Sequence, residues 1–181
     1  MNVLRHPLSG NIAVVVLAGG QSRRMGTDKT RLLIVGQTML ERVAARLAAQ
    51  ARWIVISVGD HGDAGAPLGL PVVRDTGERC GGPLFGILSG LKWAKGNTDA
   101  EWIVSVPADA PFLPGDLVSG LRTGLASGAE VAVARSQGRL HPVVAAWPVS
   151  LAEPLEIWLE TPSQRAVKAW LATQRWSAVD F

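Results

Sequence analysis

The stretch that most narrows what this chain can become runs from Ile12 to Lys29. Residues Ile12 to Val16 are an unbroken apolar run that opens into Leu17-Ala18-Gly19-Gly20-Gln21-Ser22-Arg23-Arg24-Met25-Gly26-Thr27-Asp28-Lys29. Strands covered on both faces are continuously apolar, so the run predicts a buried parallel strand delivering a glycine-rich loop. Glycine lets a backbone N–H approach an anion without a side chain in the way. Arg23, Arg24 and Lys29 add mobile positive charge, and the loop is expected to hold a triphosphate. It is not a Walker A loop, because G-x-x-x-x-G-K-[ST] is absent, and Gly19, Gly20 and Gly26 do not fit G-x-G-x-x-G. On the residues alone a second reading stays open, a glycine turn with a solvated basic flank.

Downstream, strands and helices alternate. Leu32 to Gln37 reads as a short strand and turn. A helix follows through Met39 to Leu47, with Leu40, Val43, Ala44 and Leu47 at helical spacing and Glu41, Arg42 and Arg46 on the wet side. Trp53 to Val58 is the next strand, ended by Gly59 and a glycine-rich loop from Asp60 to Gly69, and the βαβ order makes it parallel to the first. Pro71 to Arg74 is a short strand with Asp75 at its end. Pro83 suits the first position of a helix running to Trp93, in which Gly86 and Gly90 allow close approach of another backbone or of a ligand. Trp102 to Val106 is a further buried strand. Then come a helix over Asp116 to Ala126, a strand at Val131 to Ala134, a turn at Gln137-Gly138-Arg139, and His141-Pro142 ahead of a strand from Val143 to Trp147. Helices are predicted at Leu151 to Leu159 and Ser163 to Leu171, the second presenting Arg165 and Lys168, and Trp176 to Phe181 looks like the start of another strand.

This alternation in a chain of 181 residues, 48% hydrophobic, predicts one α/β domain spanning residues 1–181. The formal net charge of +3 comes from scattered basic residues. That pattern favours an anionic small molecule over a nucleic-acid groove. The single cysteine, Cys80, excludes an intramolecular disulfide and a cysteine-rich zinc site, and is expected to be a bystander. No apolar run reaches the length of a membrane span, and the amino terminus lacks the apolar core of a signal peptide. A cytoplasmic enzyme with no membrane partner is expected.

Open α/β sheets bind ligands at the carboxyl ends of their strands, which makes Asp109, in Pro107-Ala108-Asp109-Ala110-Pro111-Phe112, the best candidate for a metal ligand. A turn or cap aspartate is the alternative. Magnesium binds through one or two carboxylates plus phosphate oxygens and water, and that suits Asp109. In-line attack on a nucleotide α-phosphate adds charge that the metal, Arg24, Lys29 and loop amides would stabilise. His141 either faces a second substrate or satisfies backbone groups.

Together L-A-G-G-x-S-x-R-M-G-x-D-K, Asp75, Gly82-Pro83-Leu84-Phe85-Gly86-Ile87, Pro107 to Phe112, and His141-Pro142 ahead of Trp147 resemble, in order and over most of the chain, the molybdenum cofactor guanylyltransferases. The resemblance implies a three-layer α/β/α sandwich with a mostly parallel, Rossmann-like sheet of the nucleotide-diphospho-sugar transferase type. It implies transfer of GMP from GTP to the terminal phosphate of molybdenum-molybdopterin, with Mg2+ as cofactor and pyrophosphate as product. Leu17, Ala18, Gly19, Gly20 and Lys29 would contact GTP, Asp75 the guanosine side, and Asp109 both nucleotide and magnesium. His141 and Arg165 would lie near the second substrate, and molybdoenzymes or cofactor-delivery proteins would be partners.

Two departures accompany the resemblance. Ser57 stands where such proteins often have asparagine, keeping a hydroxyl at the nucleotide but losing the amide's paired donor and acceptor. The family also continues, past the position of Phe181, through a helix containing Asn-Thr-Pro, so a shortened C-terminal end is expected. The competing functions are a cytidylyltransferase of the same pterin, a sugar-1-phosphate nucleotidylyltransferase, and a non-catalytic nucleotide-binding adaptor in cofactor delivery.

Overall fold

The computed structural model describes residues 12–19, 33–34, 36–59, 68–75, 81–126, 128–161 and 165–181. Its centre is strand β1 (Ile12–Leu17), whose residues Ile12 to Val16 are fully buried, as expected for a strand with helices on both faces. A small hairpin, β2 (Leu33–Ile34) and β3 (Gln37–Thr38), leads into α1 (Met39–Ala48). Thr38 and Glu41 start that helix with a capping box. The Glu41 N–H donates to Thr38 Oγ1 at 3.1 Å, and the Thr38 N–H donates to Glu41 Oε2 at 2.6 Å. These bonds, the backbone one foremost, hold the Glu41 carboxyl below its usual range.

The remaining elements are β4 (Trp53–Val58), β5 (Val72–Arg74), α2 (Pro83–Asn97), β6 (Trp102–Pro107), α3 (Leu117–Leu125), β7 (Val131–Ser136), β8 (Arg139–Pro148), α4 (Ala152–Leu159), α5 (Val167–Leu171) and β9 (Trp176–Asp180). They build a seven-stranded sheet in the order β5-β4-β1-β6-β8-β7-β9. β5, β4, β1 and β6 are mutually parallel, β8 is antiparallel to both β6 and β7, and β9 is parallel to β7. Only β8, among the described strands of this sheet, runs backwards.

Alternation along β1 sends Val14 and Val16 into one core layer with Leu40, Val43 and Leu47 of α1 and Leu117 and Leu121 of α3. Ala13 and Val15 face the other, with Leu84, Ile87 and Leu91 of α2, Leu155 of α4 and Trp170 of α5. The expected α/β/α sandwich is thus present. Among the described residues no helix is long and apolar enough to cross a membrane.

Two expected boundaries change. His141-Pro142 lies inside β8 rather than ahead of it. Gln137 and Gly138, at φ 50° and 74°, form the tight left-handed turn that suits a hairpin, so pairing begins at once with Ser136 opposite Arg139 and Arg135 opposite Leu140. The ladder then jumps from Ala134 opposite His141 to Val133 opposite Ala145, and Pro142 sits in that bulge, where a missing N–H is tolerated. The second correction concerns Arg165, which is not helical. Ala166 is extended, at φ −80° and ψ 127°, and α5 starts at Val167, while residues 162–164 lie outside the described residues.

Candidate active site

Parallel pairing brings the carboxyl ends of β5, β4, β1 and β6 to one rim of the sheet, and the expected nucleotide and metal residues within the described chain lie there. The ladder continues past the strands. Ala18 N–H donates to the Ser57 carbonyl at 2.8 Å, Ala108 N–H to the Leu17 carbonyl at 3.0 Å, and Asp75 N–H to the Val58 carbonyl at 2.9 Å. Leu17, Ala18 and Gly19, half-buried, therefore leave the sheet between Gly59 and Ala108.

Gly19 is where a side chain has no room. A Cβ there would lie 2.8 Å from the Gly59 nitrogen and 3.2 Å from Asp75 Oδ2, so the missing side chain lets the exit of β1 lie against the exit of β4 and a carboxylate. Gly20, Arg24 and Lys29, expected to complete the loop, lie outside the described residues, as does Cys80.

Asp75 is 7% exposed and Ser57 1%. Ser57 Oγ donates to Asp75 Oδ1 at 2.6 Å, and Ser89 Oγ, from α2, donates to the same oxygen at a longer 3.4 Å. Burial of a carboxylate is tolerable when hydrogen bonds replace its water, and two serines supply them. The sequence reading put Ser57 against the nucleotide. In the fold its proton is committed to Asp75. Ser89 went unnoticed, and its place between Gly86 and Gly90 on the helix that crosses Ser57 was the available signal.

Asp109 lies on the far side of β1 from Asp75 and is exposed, on a turn closed by Ala110 N–H to the Pro107 carbonyl at 3.3 Å. β5 and β6 are three strand steps apart in the sheet. At ordinary strand spacing that separates the two carboxylate positions by about 14 Å, room for a nucleotide to span the mouth of β1. Among the described residues no group of three or more His, Cys, Asp or Glu could hold a metal unaided. A lone exposed carboxylate fits a cation that brings its other ligands as phosphate oxygens and water.

His141 is on the reversed strand. Since Ala145 pairs with Ser105, the residues before Ala145 extend beyond Ser105 toward the carboxyl end of β6, the same end as Asp109. The ring is half-buried, with Nε2 2.7 Å from Ser136 Oγ across the hairpin. Arg165 sits on the α2 layer, its guanidinium carbon 5.8 Å from the centre of the Phe85 ring in the first turn of α2. Its Nε is buried and, among the described residues, has no hydrogen-bond partner.

The model of the MobA-like NTP transferase domain matches residues 14–177. A molybdenum cofactor guanylyltransferase of Sinorhizobium fredii is 42% identical over 174 residues, covering 96% of this chain and 80% of that relative. One from Cereibacter sphaeroides is 44% identical over 154 residues, covering 84% of this chain and 77% of the relative. Among solved structures, molybdopterin-guanine dinucleotide biosynthesis protein A from Archaeoglobus fulgidus superposes with a TM-score of 0.75 at 21% identity, covering 93% and 83% of the two chains. At that identity the superposition speaks for the fold.

Proposed function

This chain belongs to the MobA-like NTP transferase family, and from that premise we propose that it transfers GMP from GTP to molybdenum-molybdopterin and releases pyrophosphate. It is a nucleotidyltransferase, and its close relatives carry the guanylyltransferase name. The observation that carries the reading is the rim itself: a glycine exit from β1 flanked by Asp75 on one side and Asp109 on the other.

The terminal phosphate oxygen of the pterin attacks the α-phosphorus of GTP. A P–O bond forms, the bond to the β-phosphate bridging oxygen breaks, and pyrophosphate leaves with the electron pair. No covalent enzyme intermediate is needed, because the nucleophile is already an anion. Backbone N–H groups at Gly19 and Gly20, with Arg24 and Lys29, neutralise the triphosphate and the departing charge. Asp75, held by Ser57, takes the guanosine side. Asp109 would hold Mg2+, which when bound neutralises phosphate oxygens as charge builds on them. Arg165 and His141 border the second substrate, Arg165 contributing positive charge toward its anionic groups. A cytoplasmic setting, rich in nucleoside triphosphates, suits the reaction.

A turnover assay with the four nucleoside triphosphates, magnesium and molybdenum-loaded pterin tests the reading. GTP alone is expected to release pyrophosphate efficiently, and equal turnover with CTP would overturn the base assignment. Asp109→Ala is expected to lower kcat by at least about a hundredfold while the protein stays folded. Near-normal turnover would remove Asp109 from the metal site.

A further inference from the structure

The turn that carries Asp109 is tied down by a distant helix. Past Asp109 the chain runs through Pro111, Phe112, Leu113 and Pro114 to α3. Arg46, in the last turn of α1, donates from Nε to the Leu113 carbonyl at 2.7 Å, across 67 residues of sequence. Gln50, just past α1, donates from Nε2 to the Pro114 carbonyl at 2.9 Å and to the Arg46 carbonyl at 3.2 Å. Its Oε1 accepts from the Val118 N–H at 3.1 Å. That N–H is in the first turn of α3, where the N-cap residue Asp116 makes no side-chain cap bond. Gln50 thus supplies from another element the acceptor that a helix start ordinarily finds in its own cap residue.

We propose that Arg46 and Gln50 are positioning residues for the Asp109 carboxylate, forming a clamp that fixes the β6–α3 turn where a nucleotide-bound divalent cation meets the protein. The proposal rests on the nucleotidyl-transfer reading of the rim. Asp109 is exposed, so its carboxylate is placed only as well as the turn beneath it. On one side the turn is anchored to β1 through Ala108 N–H and the Leu17 carbonyl. On the other side Leu113 is buried in the core layer under α1 and α3, and the α1 side chains take successive carbonyls at Leu113 and Pro114. Productive geometry demands placement within about 0.5 Å, which a connecting loop does not hold without such support.

Two variants separate the clamp from simple structural support. Gln50→Glu keeps the acceptor for the Val118 N–H but loses the donor to Pro114, and Arg46→Met keeps a long apolar stem but loses the donor to Leu113. Hydrogen exchange of residues 108–113 is measured on the full chain, together with GTP affinity with and without magnesium. Faster exchange in that segment is expected in each variant. In the double variant the magnesium-dependent gain in GTP affinity should fall about tenfold, the scale seen when partners that orient metal ligands are removed, while metal-free affinity holds. Unaltered exchange would overturn the clamp, and faster exchange with an undiminished magnesium effect would overturn its link to Asp109. A wild-type protein indifferent to GTP and magnesium would refute the functional reading instead, with the exchange result still deciding the clamp.

Discussion

A hydroxyl only 1% exposed, whose proton goes to a carboxylate 2.6 Å away, acts through that carboxylate. Ser57→Ala removes from Asp75 Oδ1 the shorter of the two serine bonds, the one from Ser89 being 3.4 Å. A hydrogen bond to a charged group contributes about 1.5–3 kcal/mol, and without it the carboxylate is less firmly oriented. The expected result is a several-fold rise in KM for GTP with a smaller change in kcat, read from steady-state kinetics. An unchanged KM would separate Ser57 from nucleotide binding altogether. The sequence located Ser57 at a strand end but not its partner, because the partner is chosen by the β4–β5 register, which sets Val58 opposite Arg74 and so brings Asp75 alongside. Arg165 has the same history. Its approach to Phe85 depends on how the extended segment leading into α5 packs on α2, and nothing local to either residue encodes that.

Helix α2 illustrates the point at the next scale. The four-residue spacing of Gly86 and Gly90 signalled close approach but left open whether a ligand or the sheet would arrive. The sheet does. A Cβ at Gly86 would lie 2.7 Å from Leu17 Cδ2, and one at Gly90 2.7 Å from Val15 Cβ. Alanine at position 90 gains about 1 kcal/mol of helix propensity. Against it stands overpacking of about 1–3 kcal/mol, and the upper part applies because the atom in the way is a Cβ close to the strand backbone rather than the tip of a flexible side chain. Gly90→Ala is therefore expected to lower the melting temperature, measurable by calorimetry, and a stabilised variant would contradict the packing. Apolar runs and helical spacing made β1, α1, β4 and β6 legible. The start of β8 was not, because a proline reads as a strand boundary unless the bulge that accommodates it is known. Trp147 too has a place visible only in three dimensions. Its indole N–H donates at 2.8 Å to Ser105 Oγ, itself bonded at 2.6 Å to the Val143 carbonyl, so a fully buried ring is satisfied across β6 and β8.

For the molecule as a whole, the sheet is fastened unevenly. β9 is held to β7 by the ladder and by a bidentate pair, Arg135 Nε and Nη2 to the two Asp180 oxygens, each at 2.6 Å. Arg175 reaches Glu130 at 2.8 Å just before the two strands begin. The hydrogen bond from Arg135 holds the Asp180 carboxyl below its ordinary range, and that from Arg175 does the same for Glu130. For acids lowered by folding, the added stability is whole above the ordinary carboxylate values near pH 4 and is lost as pH falls through the lowered ones. Both pairs are exposed, so each contributes little to global stability. The expected consequence is local: on acidification below about pH 4, β9 amides should lose exchange protection before those of β1 and β6. Simultaneous loss across the sheet, followed by NMR, would count against it. The two carboxylates at the rim are also housed unequally. Asp109 follows a strand flanked on both sides, whereas Asp75 follows β5, a three-residue strand at the sheet's border. Under the proposed assignment, the base-side carboxylate hangs on a border strand and owes its position to side chains from β4 and α2, whereas the metal-side one is set by the backbone of an interior strand.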